Sequence, residues 1–577
     1  MYLPRLLTVT SLAAIFTAGA TYVAPQTAEA CGGTFCDAGP MQTPVDQTGE
    51  NILFVMDGAD VEAHIQIQYN PDTDAQKFAW VIPLLAVPEF SVGSDPLFSN
   101  VLAGTVPSYS LAQQAEFCGG GDSSESSGDG YAESSAGGTD TGYDPTGNSG
   151  PDILLEQTVG AFDIVVLQDN DVASLMQWLG DNGYQQDPAA EPIFQQYLDE
   201  SYLFAAFKLT HGAGVDQIHP VVLKFNTGEA CIPLRLTKIA ATEDMEVRTF
   251  FLGNARTVPR NYRHVLINPL KIDWLDLTNV AENYKDVITQ AVDAFEANGH
   301  AFVTEYAGSS TVVNEFGLHS DSWDASVLLS VPVGEVVDTL QSQGLLGCFG
   351  GETCEFYHPL AEGLLAEFLP VPDGLTPGEF YACLDCYVDL IDQNAWDVAL
   401  FASAYQSRII EPGAHALELL QTWPYLTRMY TTISPGEMTE DPFFHQNPSL
   451  GDVSNQRQAT QTTLCNGNSI VTLPDGREVY VPLGEGWPAF DNEMPWEAEV
   501  QTVAMTGAPM TLVDNNEIID RKLEEWNNSV NKDGAFEETA GDADGEGCNC
   551  AAGDRPLAPV GLALGLLCLG LVRRRRA

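Results

Sequence analysis

Apolar and polar residues alternate along the first half of the chain with the two-residue period of β-strands. The clearest case runs from Val61 to Tyr69, where His64, Gln66 and Gln68 alternate with Ile65 and Ile67. The same pattern predicts seven further strands, at Asn51 to Met56, Phe78 to Leu84, Phe162 to Val166, Tyr202 to Leu209, Val221 to Phe225, Ile232 to Leu236 and Glu246 to Leu252.

Helical periodicity appears later and is interleaved with these strands. Asp171 stands where a capping residue would begin an amphipathic helix, and a second amphipathic helix is predicted from Val280 to Ala297 with Phe295 on its apolar face. From Val336 to Tyr430 the pattern is mainly helical, and Val471 to Val481 predicts a hairpin.

This order of elements predicts the fold class. Strands come first, helices cluster later and strands then return, which is typical of an α+β fold. We therefore expect largely antiparallel sheets, a mainly helical C-terminal portion and a flexible Gly/Ser insertion.

Composition divides the chain into segments. The stretch 119–150 is almost wholly Gly, Ser, Asp, Thr and Glu, so it is predicted to be a disordered insertion. Residues 31–118 are expected to pair with later strands across this insertion, and a separate N-terminal domain is the alternative. The predicted organisation is a signal peptide at 1–30, a strand-rich part at 31–118, the insertion at 119–150, the main α+β ectodomain at 151–530, an acidic stalk with a sorting motif at 531–556, and a transmembrane segment with an Arg cluster at 557–577.

The N-terminus has the features of a secretory signal. Arg5 precedes an apolar run from Leu6 to Val23, and Ala28-Glu29-Ala30 forms a small-residue cleavage site before Cys31. Export is therefore predicted. A lipoprotein signal that uses Cys31 is the alternative, but Glu29 fits that cleavage site poorly.

The C-terminus carries a candidate membrane anchor. Residues 557–572 are apolar apart from glycines and a proline, and Arg573, Arg574, Arg575 and Arg576 follow. About 16 residues are just short of the ~20 of a spanning helix, and the arginines are expected to stay cytoplasmic. The prediction is an exported protein of the cell envelope, anchored at the surface, with a buried helix and a basic tail as the alternative.

Two cysteines precede this anchor. The sequence Gly547-Cys548-Asn549-Cys550, a short spacer, Arg555-Pro556, the apolar helix and the Arg cluster resemble the MYXO-CTERM sorting tail of myxobacterial surface proteins. The resemblance implies that a sorting protease cleaves near Cys548 or Cys550 and that the protein is retained at the cell surface through this tail, with a lipid as one candidate anchor.

A second resemblance covers the ectodomain from Cys31 to about Pro482. Its motifs resemble those of the bacterial domain-of-unknown-function family DUF2330, which implies a family and no activity or catalytic residues. These motifs are Cys31-Gly32-Gly33-Thr34-Phe35-Cys36, Pro44-Val45-Asp46-Gln47, Phe78-Ala79-Trp80-Val81-Ile82-Pro83, Tyr425-Leu426-Thr427-Arg428 and Met438-Thr439-Glu440-Asp441-Pro442-Phe443.

The charge balance is strongly acidic. Eighty Asp and Glu residues against 24 Lys and Arg give a net charge of -56. Nucleic acid is excluded as a partner because phosphate binding requires basic patches. No cofactor motif is evident. Ca²⁺ is a candidate, although Asp514, Glu517 and Asp520 lack the spacing of an EF-hand.

Twelve cysteines in an exported chain predict disulfides, because the compartment is oxidising. The candidates are Cys31 with Cys36, Cys348 with Cys354, and Cys383 with Cys386. The Cys383-Leu384-Asp385-Cys386 spacing also suits a redox dithiol, or half of a zinc site completed by Cys348 and Cys354. A structural disulfide is favoured because Asp385 disfavours a thiolate.

Catalytic motifs are absent from the sequence, which has no HExxH, no GxSxG, no Walker loop and no dinucleotide fingerprint. The nine histidines are scattered singly, and each is expected to be a surface or core residue and not a metal ligand. The favoured function is a non-enzymatic surface or binding module with an unknown extracellular partner. The alternative is an extracellular hydrolase or thiol enzyme that acts on polymer.

Overall fold

The computed structural model describes residues 33–35, 47–69, 79–116, 150–184, 188–210, 217–226, 230–350, 353–392, 396–490, 492–532 and 534–536. The predicted signal peptide, nearly all of the insertion, the sorting motif and the C-terminal anchor lie outside these ranges. Eight of the residues named above as disulfide, sorting or anchor candidates also lie outside them: Cys31, Cys36, Cys548, Cys550, Arg573, Arg574, Arg575 and Arg576.

The described part of the chain contains 24 strands. In chain order they are β1 (Gly33–Phe35), β2 (Gln47–Asp57), β3 (Asp60–Tyr69), β4 (Ala79–Leu84), β5 (Glu89–Val92), β6 (Ser108–Ala115), β7 (Asp152–Val159), β8 (Phe162–Gln168), β9 (Leu203–Leu209), β10 (Val221–Phe225), β11 (Ala230–Cys231), β12 (Ala241–Gly253), β13 (Thr257–Pro259), β14 (Arg263–Ile267), β15 (Ala301–Ser309), β16 (Leu346–Phe349), β17 (Thr353–Phe356), β18 (Tyr425–Ile433), β19 (Phe443–Gln446), β20 (Gln456–Thr463), β21 (Ser469–Thr472), β22 (Glu478–Val481), β23 (Glu497–Thr502) and β24 (Met510–Asp514).

Helices lie between and beside these strands. They are α1 (Asp95–Thr105), α2 (Val172–Asp181), α3 (Glu191–Asp199), α4 (Leu234–Thr237), α5 (Val280–Val292), α6 (Ala325–Leu328), α7 (Val336–Ser342), α8 (Leu360–Phe368), α9 (Pro377–Ala382), α10 (Val398–Tyr405), α11 (Glu411–Thr422) and α12 (Asn516–Val530). A π-helical turn at Gln406–Ile410 joins α10 to α11 without a break.

Two large sheets pack face to face. The larger has ten strands in the order β24-β23-β14-β15-β18-β12-β2-β3-β10-β5, and the smaller has five in the order β1-β4-β9-β8-β7. Their facing sides share one apolar core that includes Phe54, Ile65, Trp80 and Phe207. Because side chains alternate across a strand, the opposite sides of both sheets need other covers.

Helices provide those covers. On the five-stranded sheet, α2 and α3 pack Leu175 and Phe194 against Phe204. On the ten-stranded sheet, α1 and α11 pack Phe98 and Leu419 with the residues of β2 and β12. The layers are therefore helix, sheet, sheet and helix, and the second helical layer is the one that carries the candidate site.

Strands from before the insertion pair with strands from after it. In the ten-stranded sheet β2 lies parallel to β12, and in the five-stranded sheet β4 lies antiparallel to β9. In a separate four-stranded sheet β6 runs parallel to β20, more than 340 residues along the chain. Residues 47–116 therefore belong to the same sheets as the later strands.

The predicted α+β class with largely antiparallel pairing is confirmed. Only three of the strand pairs in the described residues are parallel: β2 with β12, β14 with β15, and β6 with β20. The helices from α6 to α10 and the π-helical turn form their own apolar cluster, with a small hairpin of β16 and β17 packed on it, and α11 follows as the cover of the ten-stranded sheet. This helical portion ends at Thr422, because Tyr425–Ile433 is β18, a central strand of the ten-stranded sheet.

Two of the sequence predictions are wrong in detail. The strand expected from Ile232 to Leu236 is interrupted by Pro233, which has no N–H to donate, and a short helix, α4, follows it. The helix predicted to reach Ala297 ends at Val292, and the chain then turns through Glu296 and Asn298, which have φ values of 70° and 50°. Phe295 consequently lies outside the core with 73% of its surface exposed.

A buried ion pair holds the centre of the ten-stranded sheet. Arg428 of β18 donates through Nε to Glu305 of β15, and the two side chains are 4% and 2% exposed. The register of β15 against β18 shifts at Glu305, so this strand has one extra residue there. The irregularity directs the carboxylate toward Arg428, whose Nη1 also donates to the Leu102 carbonyl at the end of α1.

Arg428→Met is expected to lower the free energy of unfolding by about 3–5 kcal/mol, because it leaves the Glu305 carboxylate buried without its partner. Urea denaturation followed by circular dichroism measures the change. Arg428→Met combined with Glu305→Met should recover much of the loss. The exposed Arg521→Ala is the control, with an expected change within about 0.5 kcal/mol. An equal effect of Arg428→Met and Arg521→Ala would contradict the structural role of the pair.

Candidate metal site

Strand β3 presents a row of polar side chains to the helical layer. Glu62, His64 and Gln66 occupy alternate positions and therefore share one face of the sheet. In the register, His64 lies between Leu53 of β2 and Val222 of β10. Leu53 belongs to the core beneath α1 and α11, so the polar row is covered and not turned to solvent.

His64 is the most deeply buried member of this row, with 1% of its surface exposed. Its Nε2 lies 2.8 Å from Glu62 Oε1, and its Nδ1 has no hydrogen-bond partner among the described residues. Burial lowers the pKa of the His64 imidazole below its usual value, although Glu62 opposes the shift. The imidazole is therefore neutral at pH 7, as a metal ligand must be.

His415 approaches the same carboxylate from α11. Its Nε2 lies 2.5 Å from Glu62 Oε1, although 353 residues separate the two in sequence. The ring stacks on His64 with centroids 6.0 Å apart. Two features fix this position. Leu419, one turn further along α11, packs into the core. The π-helical turn immediately precedes α11, whose second residue, Pro412, cannot donate into an α-helical ladder.

Lys224 of β10 completes the cluster. It is the direct cross-strand neighbour of Glu62, and its Nζ lies 3.2 Å from Glu62 Oε2 and 3.5 Å from His415 Nε2. Burial opposes ionisation of Glu62, but hydrogen bonds from His415 and His64 outweigh it, and the pKa of this carboxyl lies well below its usual value. Glu62 is therefore an anion that three donors surround.

The ligand atoms of this cluster suit a divalent transition metal. One atom each from Glu62, His64 and His415 lie within 4.8 Å of one another. Two imidazole nitrogens and a carboxylate oxygen are ligands for zinc and for iron(II), whereas Ca²⁺ takes oxygen ligands. In the ranges that the structure describes, no second group of three His, Cys, Asp or Glu side chains converges in this way.

A carboxylate lies near the second ring nitrogen of one of the two imidazoles. When Nε2 of a histidine binds a metal, its Nδ1 carries the proton and requires an acceptor. Glu418 Oε2 lies 3.9 Å from His415 Nδ1, one helical turn along α11. A small movement of this exposed carboxylate would provide the acceptor.

Gln66 continues the polar row away from the metal ligands. Its side-chain amide accepts from Asn51 Nδ2 at 2.9 Å and donates to Asp95 Oδ1 at 2.9 Å. Asp95 begins α1, and burial raises the pKa of its carboxyl to about 6, against the hydrogen bond from Gln66. The row therefore joins α1 as well as α11 to β3.

The cysteine candidates that the structure describes are paired as disulfides, which confirms the prediction that the chain contains them. Cys348 is bonded to Cys354 across the β16–β17 hairpin, and Cys383 is bonded to Cys386 after α9. In this state the four sulfurs do not form the zinc site considered as an alternative. Cys465 is also disulfide-bonded.

The carboxylates considered for Ca²⁺ have other roles. Asp520 accepts from Arg477 Nε at 2.8 Å, and Asp514 accepts from the Asn516 backbone N–H at 3.0 Å. A surface cleft of about 280 Å³ lies beside Arg235, whose guanidinium is paired with Glu200 and with the buried Asp441. These pairs fasten α4 to the segment before β19, and we assign them a structural role.

Sequence reasoning missed the histidines of the site. It treated all nine as isolated, whereas the fold brings His64 and His415 together. The alternation at β3 gave the correct facing of His64 and Glu62, but an alternating strand is usually exposed on its polar face. The missing signal was the position of α11, which no local pattern encodes.

No helix in the described ranges combines the length and the apolar character needed to cross a membrane. The apolar segment predicted at 557–572 lies outside those ranges.

The fold and the cluster define an α+β protein with a site of two histidines and one glutamate. A model of a family described as "uncharacterized protein conserved in bacteria (DUF2330)" matches residues 25–320, just over half of the 577 residues, and the chain belongs to this family. No curated protein and no solved structure matches the chain.

The family match is shorter than the resemblance suggested. It includes Glu62, His64 and Lys224 but ends before Tyr425-Leu426-Thr427-Arg428, before the motif at 438–443 and before His415. The last ligand of the cluster therefore lies in the part of the chain beyond the matched region.

Asp95→Asn is expected to stabilise the protein at neutral pH. The folded pKa of about 6 exceeds the ordinary 3.8, so the buried carboxylate costs stability only where it is ionised. That cost is absent at a pH below 3.8, grows as the pH rises from 3.8 to about 6, and is complete at higher pH. Urea denaturation should therefore give a gain of about 2 kcal/mol at pH 7.5 and almost none at pH 3.5. A gain of equal size at both pH values would contradict the assignment.

Proposed function

We propose that this chain is an exported bacterial surface protein whose ectodomain binds a divalent transition-metal ion, with zinc as the first candidate, through Glu62, His64 and His415. The observation that carries the proposal is the convergence of three ligand atoms within 4.8 Å from two distant parts of the chain. The site then serves a binding module at the cell surface, with the extracellular partner still to be identified.

The burial of the cluster supports the metal assignment. With 1% of its surface exposed, His64 closes the inner side of the cluster, so an ion held there would be shielded from bulk water. His64 and His415 both direct Nε2 at one carboxylate oxygen, so their lone pairs would meet at one point once those nitrogens lose their protons.

The chain ends support export and anchoring. The order of Arg5, the apolar run and the small residues before Cys31 is that of a secretory signal. At the other end the Cys548/Cys550 pair, the apolar segment and the arginines resemble a MYXO-CTERM tail, which a sorting protease would process. The disulfides at Cys348–Cys354 and Cys383–Cys386 suit an oxidising compartment.

One observation favours an extracellular hydrolase as the second candidate function. Catalytic zinc sites have three protein ligands and keep a fourth position open for water, whereas structural sites have four protein ligands. The Glu62, His64 and His415 cluster has three, and the side chain of His415 is 27% exposed. A polymer substrate outside the cell is the class that fits export.

His415→Ala should lower the zinc affinity of the purified full-length chain, because it removes a direct ligand of the metal. Loss of a residue that only contacts a ligand lowers affinity roughly 10–100-fold, and the loss expected here is larger. Isothermal titration calorimetry with Zn²⁺ measures this, and elemental analysis of the wild-type protein gives the metal content. His300→Ala is the matched control, because His300 contacts Thr439 and not the cluster. Ca²⁺ should not bind at this site.

Two results would overturn the metal proposal. One is a wild-type protein that binds no Zn²⁺, Co²⁺, Mn²⁺ or Fe²⁺ above the level of His415→Ala. The other is equal zinc affinity in His415→Ala and His300→Ala. Melting curves of both variants establish that each remains folded.

Protease treatment of intact producing cells is expected to digest the ectodomain, because we place it outside the membrane. Mass spectrometry of the mature protein should find an N-terminus near Cys31 and no peptide from 557–577 if the sorting tail is processed. An intact 557–577 peptide would instead indicate a permanent membrane anchor. Full protection of the ectodomain in intact cells would contradict surface exposure.

A further inference from the structure

The cluster is closed on one side and open on the other. Side-chain exposure rises from 2% at His64 through 13% at Glu62 and 27% at His415 to 40% at Lys224. His64 therefore lies on the buried side of the site, and Lys224 lies on its exposed side. An external ligand that arrives from this exposed side would meet the Lys224 ammonium.

The Lys224 ammonium contacts two of the side chains that would bind the metal. Its Nζ is 3.2 Å from Glu62 Oε2 and 3.5 Å from His415 Nε2. A divalent ion bound to the same carboxylate and imidazole would repel this ammonium. Lys224 has a flexible stem and partial exposure, so it can move outward while its anchor on β10 keeps it beside the open coordination position.

The net charge around the open coordination position determines which class of ligand it prefers. Two neutral imidazoles and one carboxylate leave a divalent metal with a formal charge of one, and the Lys224 ammonium adds a second positive charge beside it. A ligand with a negatively charged oxygen would interact favourably with both, by coordination to the metal and a charge-assisted hydrogen bond from Nζ. A carboxylate would neutralise one of the two positive charges, and a phosphate dianion would neutralise both. In a chain of net charge -56, such a positive pocket does not follow from general composition.

We propose that the open position of this metal centre binds an oxyanion, a carboxylate or a phosphate, held between the metal and the ammonium of Lys224. The inference rests on the proposed metal site and names the class of ligand or substrate that the site takes. Lys224 is a binding residue in this scheme and does not serve only to neutralise Glu62.

The test uses Co²⁺, whose visible absorption reports its ligands. The purified full-length chain is loaded with Co²⁺ and titrated with acetate in one arm and inorganic phosphate in the other. The wild-type spectrum should change with at least one of the two anions, and the arm that changes identifies the oxyanion class. Lys224→Met should retain Co²⁺ and bind the same anion at least about tenfold more weakly.

Lys285→Met is the matched control. Lys285 is equally exposed, at 41%, and is paired with Glu246 away from the cluster, so this variant should bind the anion as the wild type does. Equal anion affinity in Lys224→Met and wild type would overturn the inference while leaving the metal site intact. A wild-type spectrum that neither anion changes would do the same. Failure of the wild type to bind Co²⁺ would overturn the metal site and the oxyanion site with it.

Discussion

A negative charge on a covered sheet face constrains the arrangement around it. Glu62 lies on the side of β3 that the helical layer covers, and its carboxylate has to be compensated there. Lys224, His64 and His415 supply the donors. Because one of them belongs to α11, the helix has to lie over β3 at this point. α11 in turn continues from α10 and the helical cluster, so compensation at Glu62 also relates the helical portion to the central sheet.

The strands could be predicted from the sequence because period-two alternation is a local property. It located β2, β3, β9, β10 and the β21–β22 hairpin, and it gave the correct facing of His64. The element that packs on each sheet face could not be predicted. A strand with alternating polar residues has the same sequence pattern whether its polar face contacts water or a helix. The site therefore escaped prediction: His415 stands in an amphipathic helix with no neighbouring ligand residue, and only the packing of Leu419 and the π-helical turn bring it to Glu62.

Irregular backbone contributes to two charged clusters of the ten-stranded sheet, the Arg428–Glu305 pair and the cluster at Glu62. Glu305 reaches Arg428 where β15 has an extra residue, and His415 reaches Glu62 just after a helical turn of the wider π type. Sequence periodicity does not encode either feature, because each is a local departure from the repeat on which the periodicity depends. The boundary of β18 was missed for a related reason. Tyr425–Ile433 is buried along nearly its whole length and lacks alternation.

The π-helical turn at Gln406–Ile410 makes the site sensitive to helical phase. Each residue of an α-helix rotates the following side chain by about 100°, and a π turn contains nearly one residue more than an α turn. The direction in which the His415 side chain leaves the axis of α11 therefore depends on the number of residues in the helical segment before it. The presence of a histidine at this position is not sufficient. A single-residue insertion or deletion between Asp397 and Glu411 would turn the imidazole away from Glu62 with every ligand still encoded. Relatives of this chain are best compared by the length of this segment, and not by the presence of the histidine alone.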